Sequence, residues 1–351
     1  MTQLNSEQHA GSVVPVVPDA ADRAVGKVFI TNASGEIGHR IVTQLLETGY
    51  VHVRIGTTLS KKLMDHMIQK GAEVVDFSWD RSETFANALS GIETVIINIP
   101  YERKWVKHFQ AFLLACTNVN VKHYVKTSFY LSHVPGTRPM SFVKFHANCD
   151  EILMNMVTLD DPTFNQRSYT ILAASHFMSN PTKYYGLKLR NDSNLSTIVY
   201  SASKNRAINF ISPNDVAEAT VRVVLSPQDH CNRIYTLLGP TSMTSRDIAL
   251  LMSKFLDQKT QCVDTHLTVL RSILVSKGTP SWLVNDRIAM QQVVASGIED
   301  TVTSVLHNDV ERICGHPPES FVNYWSNTDT MIPSEKEMFY QKKTAICPSV
   351  G

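Results

Sequence analysis

Residues 27–58, KVFITNASGEIGHRIVTQLLETGYVHVRIGTT, predict the order strand, turn, helix, strand, and this order decides the fold. The apolar run VFI at residues 28–30 is typical of a buried parallel strand. Apolar residues then recur at helical spacing from Ile37 to Leu46, and Gly49 ends that helix before the β-rich VHVRI. The stretch is therefore predicted to form a βαβ unit.

The turn between the first strand and the helix, TNASGEIG at residues 31–38, consists mainly of small residues. Backbone N–H groups at a helix N-terminus, together with the helix dipole, favour a bound phosphate. The i, i+3 spacing of Gly35 and Gly38 is a weak signal alone, but the flanking strand and helix supply the context that a dinucleotide site requires. We therefore expect this turn to bind a pyrophosphate, with an ordinary tight turn as the alternative.

The composition limits the kinds of partner that the chain can have. The 351 residues are 43% hydrophobic and 19% charged, which predicts a globular protein with an ample core. Because 33 basic residues balance 32 acidic ones, no nucleic-acid partner is expected. The six cysteines have no CxxC pair and no metal-ligand spacing, which indicates reduced thiols, a cytoplasmic location and no metal site. No stretch approaches the roughly 20 apolar residues of a membrane span, so no membrane partner is expected.

The chain divides into four predicted parts. Residues 1–25 are polar, apart from a proline-interrupted VVPVVP run, and are predicted to be a disordered leader. Strand and helix patterns alternate over residues 26–240, which predicts an α/β fold with a Rossmann-type, doubly wound parallel sheet that binds NAD(P). Residues 241–326 are predicted to form a small, mostly helical substrate-binding lid over the carboxyl edge of the sheet. The polar residues 327–351 are predicted to be a tail or an arm on a partner.

The residues after the second strand favour NADP over NAD. An NAD site usually carries a carboxylate at this point, whereas an NADP site carries cationic or hydroxyl groups. No acid occurs between residues 51 and 64, and Thr57, Thr58 and Lys61 supply hydroxyl and cationic groups. The lysine could equally be a solvated charge at the start of a helix.

Further candidate residues follow the later strands, at the edge where open α/β sheets bind ligands. Asp76 and Phe77 end the third strand, where they could meet an adenine or simply cap the next segment. Asn98 and Pro100 end the fourth strand, and we expect the nicotinamide half of the cofactor to pass them. Ser128 ends the fifth strand at the same edge.

Three side chains are candidates for proton donation. Tyr130 follows the fifth strand, and Lys144 and His146 lie on a predicted helix, residues 142–156, that leads towards the cleft. Histidine is suited to proton transfer near neutral pH. Each of the two helix residues could equally be a surface polar residue.

Eight stretches from residue 27 to about residue 326 resemble, in order, the landmarks of the NmrA-like atypical short-chain dehydrogenases: TNASGEIG, VVDFSWD, SGIETVIINIP, YVKTSFY, ILAASHFMSN, ISPNDVAEA, YTLLGP and CGHPPESFVNYW. In style they look like the family's NADPH quinone reductases and festuclavine-synthase-type reductases. The resemblance implies a Rossmann domain that binds NADP, closed by a small helical part. With Ser34 and Lys61 added from the local pattern, the implied cofactor-binding set is Asn32, Ser34, Gly35, Glu36, Ile37, Thr57, Thr58, Lys61, Asp76, Phe77, Asn98, Ile99, Pro100 and Ser128.

The chain departs from the patterns of related enzymes in four places. Asn32 stands where the turn has its first glycine, and AAS at residues 173–175 replaces the usual arginine segment of the sixth strand. The Tyr/Lys pair of standard short-chain dehydrogenases is absent from its usual place. The pairs Tyr184/Lys188 and Tyr200/Lys204 have the right spacing but follow the sixth strand, and we interpret them as coincidence. His146 stands near where relatives often carry a lysine that faces the nicotinamide.

The sequence thus predicts an NADPH-dependent reductase that transfers hydride to a small organic molecule with an enone, quinone, imine or carbonyl group. Tyr130, Lys144 or His146 would donate the proton. Two alternatives stay open: a non-catalytic NADP-binding, redox-sensing regulator of the NmrA type, and a redox-neutral isomerase or cyclase that keeps the cofactor fold. The altered turn and absent Tyr/Lys pair favour the regulator, whereas the aromatic and methionine residues of the helical part favour a substrate pocket. A homodimer is one assembly that the sequence leaves open.

Overall fold

The computed structural model describes residues 26–49, 51–58, 64–99, 107–137, 140–159, 167–179, 187–190, 195–200, 206–256, 259–305 and 308–327. The predicted leader, nearly all of the predicted tail, Lys61 and Pro100 lie outside these residues. Among the helices that are described, none combines the length and the apolar character needed to cross a membrane.

The first half of the chain alternates strands and helices: β1 (Lys27–Ile30), α1 (Glu36–Thr48), β2 (His52–Thr57), α2 (Asp65–Gln69), β3 (Glu73–Asp76), α3 (Phe85–Leu89), β4 (Thr94–Ile97), α4 (Phe109–Asn118), β5 (His123–Phe129), α5 (Ser141–Leu159) and β6 (Ser168–Ala174). The second half contains β7 (His176–Phe177), β8 (Leu187–Arg190), β9 (Leu195–Tyr200), β10 (Ile208–Ile211), α6 (Pro213–Leu225), β11 (Arg233–Leu237), β12 (Ser242–Met243), α7 (Ser245–Leu256), β13 (Lys259–Asp264), α8 (Leu267–Ser276), α9 (Ser281–Ser296), α10 (Ile298–Ser304), α11 (Asp309–Cys314) and α12 (Phe321–Ser326).

Seven strands form one parallel sheet in the order β11-β6-β5-β4-β1-β2-β3. The chain runs outward from β1 to β3 and then returns to β4 on the other side of β1. The carboxyl ends of β1 and β4 therefore border the crevice where a doubly wound sheet binds its ligand. The predicted Rossmann-type α/β architecture is confirmed.

Each face of the sheet packs against helices, because successive side chains of a strand point to opposite faces. Val28 and Ile30 face α1 and α6, whose apolar residues, including Ile41 and Val216, are fully buried beside them. Phe29 faces the other side, in a cluster built with α3, α4 and α5. Both faces of β1 are thus buried, which explains its unbroken apolar sequence.

The C-terminal region is mostly helical, as predicted, but the sequence interpretation missed two small sheets. One has the order β12-β10-β7, and the other has the order β13-β9-β8. In the second sheet β13 pairs in parallel with β9, and β9 pairs in antiparallel fashion with β8. Lys188 and Tyr200 lie in these strands, so neither supports a helical Tyr/Lys pair; Tyr184 and Lys204 lie outside the described residues.

Candidate cofactor and substrate site

A cavity of about 180 Å³ lies at the carboxyl ends of β1, β4, β5 and β6. It brings together seven of the residues that the sequence predicted for the site: Asn32, Glu36, Ile37, Asn98, Ile99, Ser128 and His146. Gly38 of the predicted pyrophosphate turn lines it as well, together with residues that the sequence analysis did not select: Thr127, Phe129, Phe142, Ala174, Ser175, His176 and Phe177.

The turn after β1 is bound to the end of β4 by a reciprocal pair of hydrogen bonds. The Thr31 hydroxyl donates to the Asn98 carbonyl oxygen at 2.9 Å and accepts from the Asn98 N–H at 3.0 Å. Within the turn, the Gly35 N–H donates to the Asn32 carbonyl oxygen at 3.0 Å. Asn32 has a φ of 51°, a left-handed conformation that asparagine tolerates better than most residues. The replacement of the first glycine therefore preserves the turn.

The glycines of the turn let α1 begin directly against it. A Cβ atom at Gly38 would lie 2.2 Å from the Asn32 carbonyl oxygen, a contact that the backbone cannot accept. A Cβ atom at Gly35 would lie 2.7 Å from Asn32 Nδ2. Because Glu36, Ile37 and Gly38 all line the cavity, the positive end of the α1 dipole faces it.

The polar groups of the cavity suit a ligand that carries phosphates and an amide. Asn98 Oδ1 accepts a hydrogen bond from the Thr127 hydroxyl at 3.2 Å, but Asn98 Nδ2 has no partner among the described residues although the side chain is buried. Such an amide N–H group is costly unless a ligand or water accepts from it. Together with the helix N-terminus, this donor fits a nicotinamide dinucleotide. The Glu36 carboxylate, at the first residue of α1, is the feature that opposes a phosphate.

A buried ionic cluster lies directly behind the cavity. Lys126 Nζ is 2.6 Å from Asp150 Oδ1, and both side chains are completely buried. The Ser128 hydroxyl donates to Asp150 Oδ2 at 2.5 Å, and His133 Nε2 is 3.0 Å from the same oxygen. Burial by itself raises the pKa of Asp150, but Lys126 and then His133 outweigh it and leave that pKa below its ordinary value. The carboxylate is therefore ionised.

His146 meets the same cluster and lines the cavity. Its Nδ1 is 3.3 Å from Lys126 Nζ. Burial and then the Lys126 charge lower the pKa of His146 to about 3, so the imidazole is neutral near pH 7. A neutral ring that accepts from Lys126 at Nδ1 carries its proton on Nε2.

The helix that carries His146 is fixed by a residue far away in the sequence. Asp286 of α9 accepts hydrogen bonds from the backbone N–H groups of Ser141 and Phe142, at 2.8 and 3.1 Å. These are two of the N–H groups that the first turn of a helix leaves unpaired. Asp286 thus caps α5 and sets where Phe142 and His146 enter the cavity.

The other two predicted proton donors do not line the cavity. Lys144 is exposed on α5. Tyr130 is buried, and burial, followed by the negative charge of Glu299, raises the pKa of its phenol well above the ordinary value. His146 is therefore the one of the three that the fold brings to the site.

His176 and Glu299 form a pair that the sequence analysis missed. His176 Nε2 lies 3.5 Å from Glu299 Oε1, and the two side chains are 1% and 2% exposed. The imidazole also packs against Phe129, with ring centroids 4.9 Å apart, and it lines the cavity. His176 follows β6 at the same edge as Asn98 and Ser128, so the strand-end rule could have selected it. No sequence pattern around Glu299 indicates that it lies near this edge of the sheet.

The residues predicted for the adenine end lie away from this cavity. Thr57 pairs with Asp76 across β2 and β3. The Asp76 carboxylate accepts two hydrogen bonds from the exposed Arg81 guanidinium, at 2.9 and 2.6 Å. The Phe77 ring is buried in the core, 5.3 Å from the ring of Phe29, and so packs with other aromatic residues. Their role in cofactor binding stays a prediction, as do those of Ser34 and Thr58, which do not line the cavity.

Known proteins resemble this chain over most of its length, in sequence or in structure. YesF from Bacillus subtilis (strain 168), described as an uncharacterized oxidoreductase, is 23% identical over 85% of this chain and 93% of its own. The Escherichia coli NADPH-dependent quinone oxidoreductase QOR2, in complex with NADPH, superimposes with a TM-score of 0.66 at 18% identity, covering 86% of this chain and all of that one. The negative transcriptional regulator NmrA has a TM-score of 0.67 at 13% identity, covering 90% and 98%.

The family model of the NmrA-like family matches residues 25–325, which span all the strands and helices described above except the last residue of α12. Oxidoreductases occur among the relatives, and the fold is the NAD(P)-binding Rossmann fold. The chain belongs to the NmrA-like family.

Proposed function

We propose that this protein is an NADPH-dependent reductase that transfers hydride to a small organic molecule with an enone, quinone, imine or carbonyl group. The observation that carries the proposal is that one cavity is bordered both by the turn predicted to bind the dinucleotide and by aromatic rings. The dinucleotide turn, represented by Asn32 and Gly38, forms part of its wall, and the rings of Phe129, Phe142 and Phe177 form another part. A cofactor held by the turn would bring its reactive end to an apolar space of the kind that binds flat organic molecules.

The chain's own residues supply binding and proton transfer. A bound nicotinamide cofactor supplies the hydride. The three phenylalanines exclude water, and the neutral His146 presents an N–H group at Nε2 that can stabilise charge developing on a substrate oxygen or nitrogen. His176, whose Nε2 lies 3.5 Å from Glu299 Oε1, is a second imidazole at the cavity wall, and we assign proton donation to it from this position.

Several features support NADP as the cofactor. Thr57 ends β2 and Thr58 follows it, and the hydroxyl groups of both residues suit a 2′-phosphate. The nearby Asp76 carboxylate is neutralised by Arg81, so it would repel a 2′-phosphate less than a free carboxylate. Lys61 lies outside the described residues and is assigned to the same group from its sequence position.

The function is tested by fluorescence titration of the purified chain with NADPH and, separately, NADH, followed by a panel of enones, quinones, imines and carbonyl compounds with NADPH depletion as the readout. We expect NADPH to bind more tightly than NADH and at least one class to be reduced. Absence of NADPH binding at millimolar concentration would overturn the cofactor assignment.

A redox-sensing regulator is the second candidate, and the turn favours it. Asn32 adds a side chain where the family has glycine, and the Glu36 carboxylate lines the same wall. The Asn32 side chain and the Glu36 carboxylate would both weaken cofactor binding. Weaker binding is tolerable in a protein that does not turn the cofactor over but reports the NADP redox state through a partner. Tight binding of NADPH and NADP⁺ without turnover of any panel member would support this candidate over the reductase.

A further inference from the structure

We propose that Glu218, Cys314 and His316 form a zinc-binding site, separate from the cavity and independent of the proposed function. A carboxylate oxygen, a thiol sulfur and an imidazole nitrogen, one from each residue, lie within 4.8 Å of one another. These three donor types are those that zinc uses in proteins. A site for a magnesium or calcium ion would instead be built from oxygen atoms alone.

The fold assembles these donors from two distant segments. Glu218 lies on α6, and Cys314 is the last residue of α11, which packs against α6. Gly315 follows with a φ of 80°, and this left-handed residue ends α11 and turns the chain to His316. The glycine between the two donors therefore allows Cys314 and His316 to approach the same point on α6.

The imidazole already has the orientation of a metal ligand. His316 Nδ1 lies 2.8 Å from the Pro317 carbonyl oxygen, and its Nε2 lies 3.0 Å from Glu218 Oε2. Without a metal, the Nε2 N–H donates to Glu218 Oε2, and zinc would take the place of that proton. Histidine ligands of metals commonly donate their other ring N–H to a carbonyl oxygen, which fixes the tautomer and the ring. In the proposed site, zinc lies between Nε2 and Oε2.

The carboxylate ligand, Glu218, is also oriented by a hydrogen bond to its other oxygen atom. Glu218 Oε1 accepts a hydrogen bond from Arg222 at 3.1 Å, which leaves Oε2 for the metal. The Glu218 carboxylate supplies negative charge that offsets the positive charge of Arg222 and favours a divalent cation.

The burial of the three side chains suggests how zinc would enter. Glu218 and His316 are 29% and 44% exposed, whereas Cys314 is buried beneath them. Zinc can approach from the solvent side, bind the two exposed ligands and draw the proton from the thiol as the zinc–sulfur bond forms. Three protein ligands leave the fourth, solvent-facing position of a tetrahedral ion to water. The ion would tie α6 to the segment that leads into α12.

The experiment uses the full chain, reduced and freed of metal with EDTA. Zinc binding is measured by titration calorimetry, and Co²⁺ is added separately because a thiolate ligand gives it a charge-transfer absorption. We expect one zinc per chain and a thiolate–Co²⁺ band. His316→Gln is the main variant because its side chain is largely exposed, and it should lower zinc affinity at least about tenfold.

Cys231→Ser is the matched control, since this cysteine is exposed and lies elsewhere. It should bind zinc as the parent does. Glu218→Gln should weaken binding, and Cys314→Ser should abolish the Co²⁺ band; circular dichroism confirms that each variant is folded. Zinc affinity that is unchanged in both His316→Gln and Glu218→Gln would overturn the proposal, as would a thiolate band that disappears in Cys231→Ser but persists in Cys314→Ser.

Discussion

Lys126 Nζ lies 2.6 Å from Asp150 Oδ1, and neither side chain is exposed to solvent. A buried ion pair of this kind offsets the cost of removing two charges from water only while both partners are present. The pair also supports the cavity, because Lys126 contacts His146 and Asp150 accepts from Ser128. The stability of the fold and the state of the candidate site are therefore linked through one cluster.

Removal of one partner of this ion pair is expected to destabilise the fold strongly. Asp150→Asn would leave the Lys126 ammonium buried and uncompensated, and we expect the free energy of unfolding to fall by about 3–5 kcal/mol. Urea denaturation at pH 7 measures this loss. Asp300→Asn is the control, since Asp300 pairs with Arg206 while both side chains are nearly half exposed, and it should cost less than about 1 kcal/mol. Equal, small losses in both variants would contradict the role given to the buried pair.

The depressed pKa of His146 predicts a loss of stability in mild acid. The pKa is about 3 in the folded protein and about 6.5 in the unfolded chain, so the unfolded chain alone gains a proton as the pH falls through this range. The stabilising contribution of the neutral imidazole is fully present above pH 6.5 and is lost progressively towards pH 3. By pH 5 the free energy of unfolding should have fallen by about 2 kcal/mol from this cause. His146→Gln should flatten this part of the stability curve.

The measurement is chemical denaturation at several pH values from 4 to 8. His52→Gln replaces an exposed histidine and should leave the slope unchanged. His123, whose pKa burial lowers to about 4, gives a similar slope of its own, so the variant curve should be shallower but not flat. An unaltered slope in His146→Gln would mean that this imidazole is protonated in the folded protein.

The turn predicts that Gly38 tolerates no side chain. In Gly38→Ala the new methyl group would lie 2.2 Å from the Asn32 carbonyl oxygen, so the turn and α1 must move apart. We expect the free energy of unfolding to fall by more than about 2 kcal/mol, and we expect NADPH to bind more weakly. Gly26→Ala is the control because its methyl group would meet only the flexible end of Glu93, at 3.2 Å. NADPH affinity equal to that of the parent would show that the cofactor does not use this turn.

If His176 donates the proton, its replacement should affect turnover more than binding. His176→Asn should reduce kcat by about 100-fold or more and leave the NADPH dissociation constant nearly unchanged. Glu299→Gln removes the carboxylate beside His176 and should likewise lower kcat more than it weakens NADPH binding. His52→Asn provides the comparison. Full activity of both His176→Asn and Glu299→Gln would show that His176 does not donate the proton.

The sequence by itself determined the parallel sheet and several of the residues that line the cavity at its carboxyl edge. The apolar strands, the glycine turn and the helix after it are local patterns, and they predicted the βαβ unit. The strand-end rule then placed Asn98 and Ser128 correctly at one cavity, because the carboxyl ends of neighbouring parallel strands meet at one edge.

Only the tertiary structure decided which charged and polar side chains meet. Lys126 occurs in a strand that is buried on both faces, so periodicity could not show that it points to Asp150. Glu299 reaches His176, and Glu218 reaches His316, across about a hundred residues, and local spacing carries no information about such contacts. The short strands β8, β9 and β13 were missed for the same reason, since each depends on a partner strand for its hydrogen bonds.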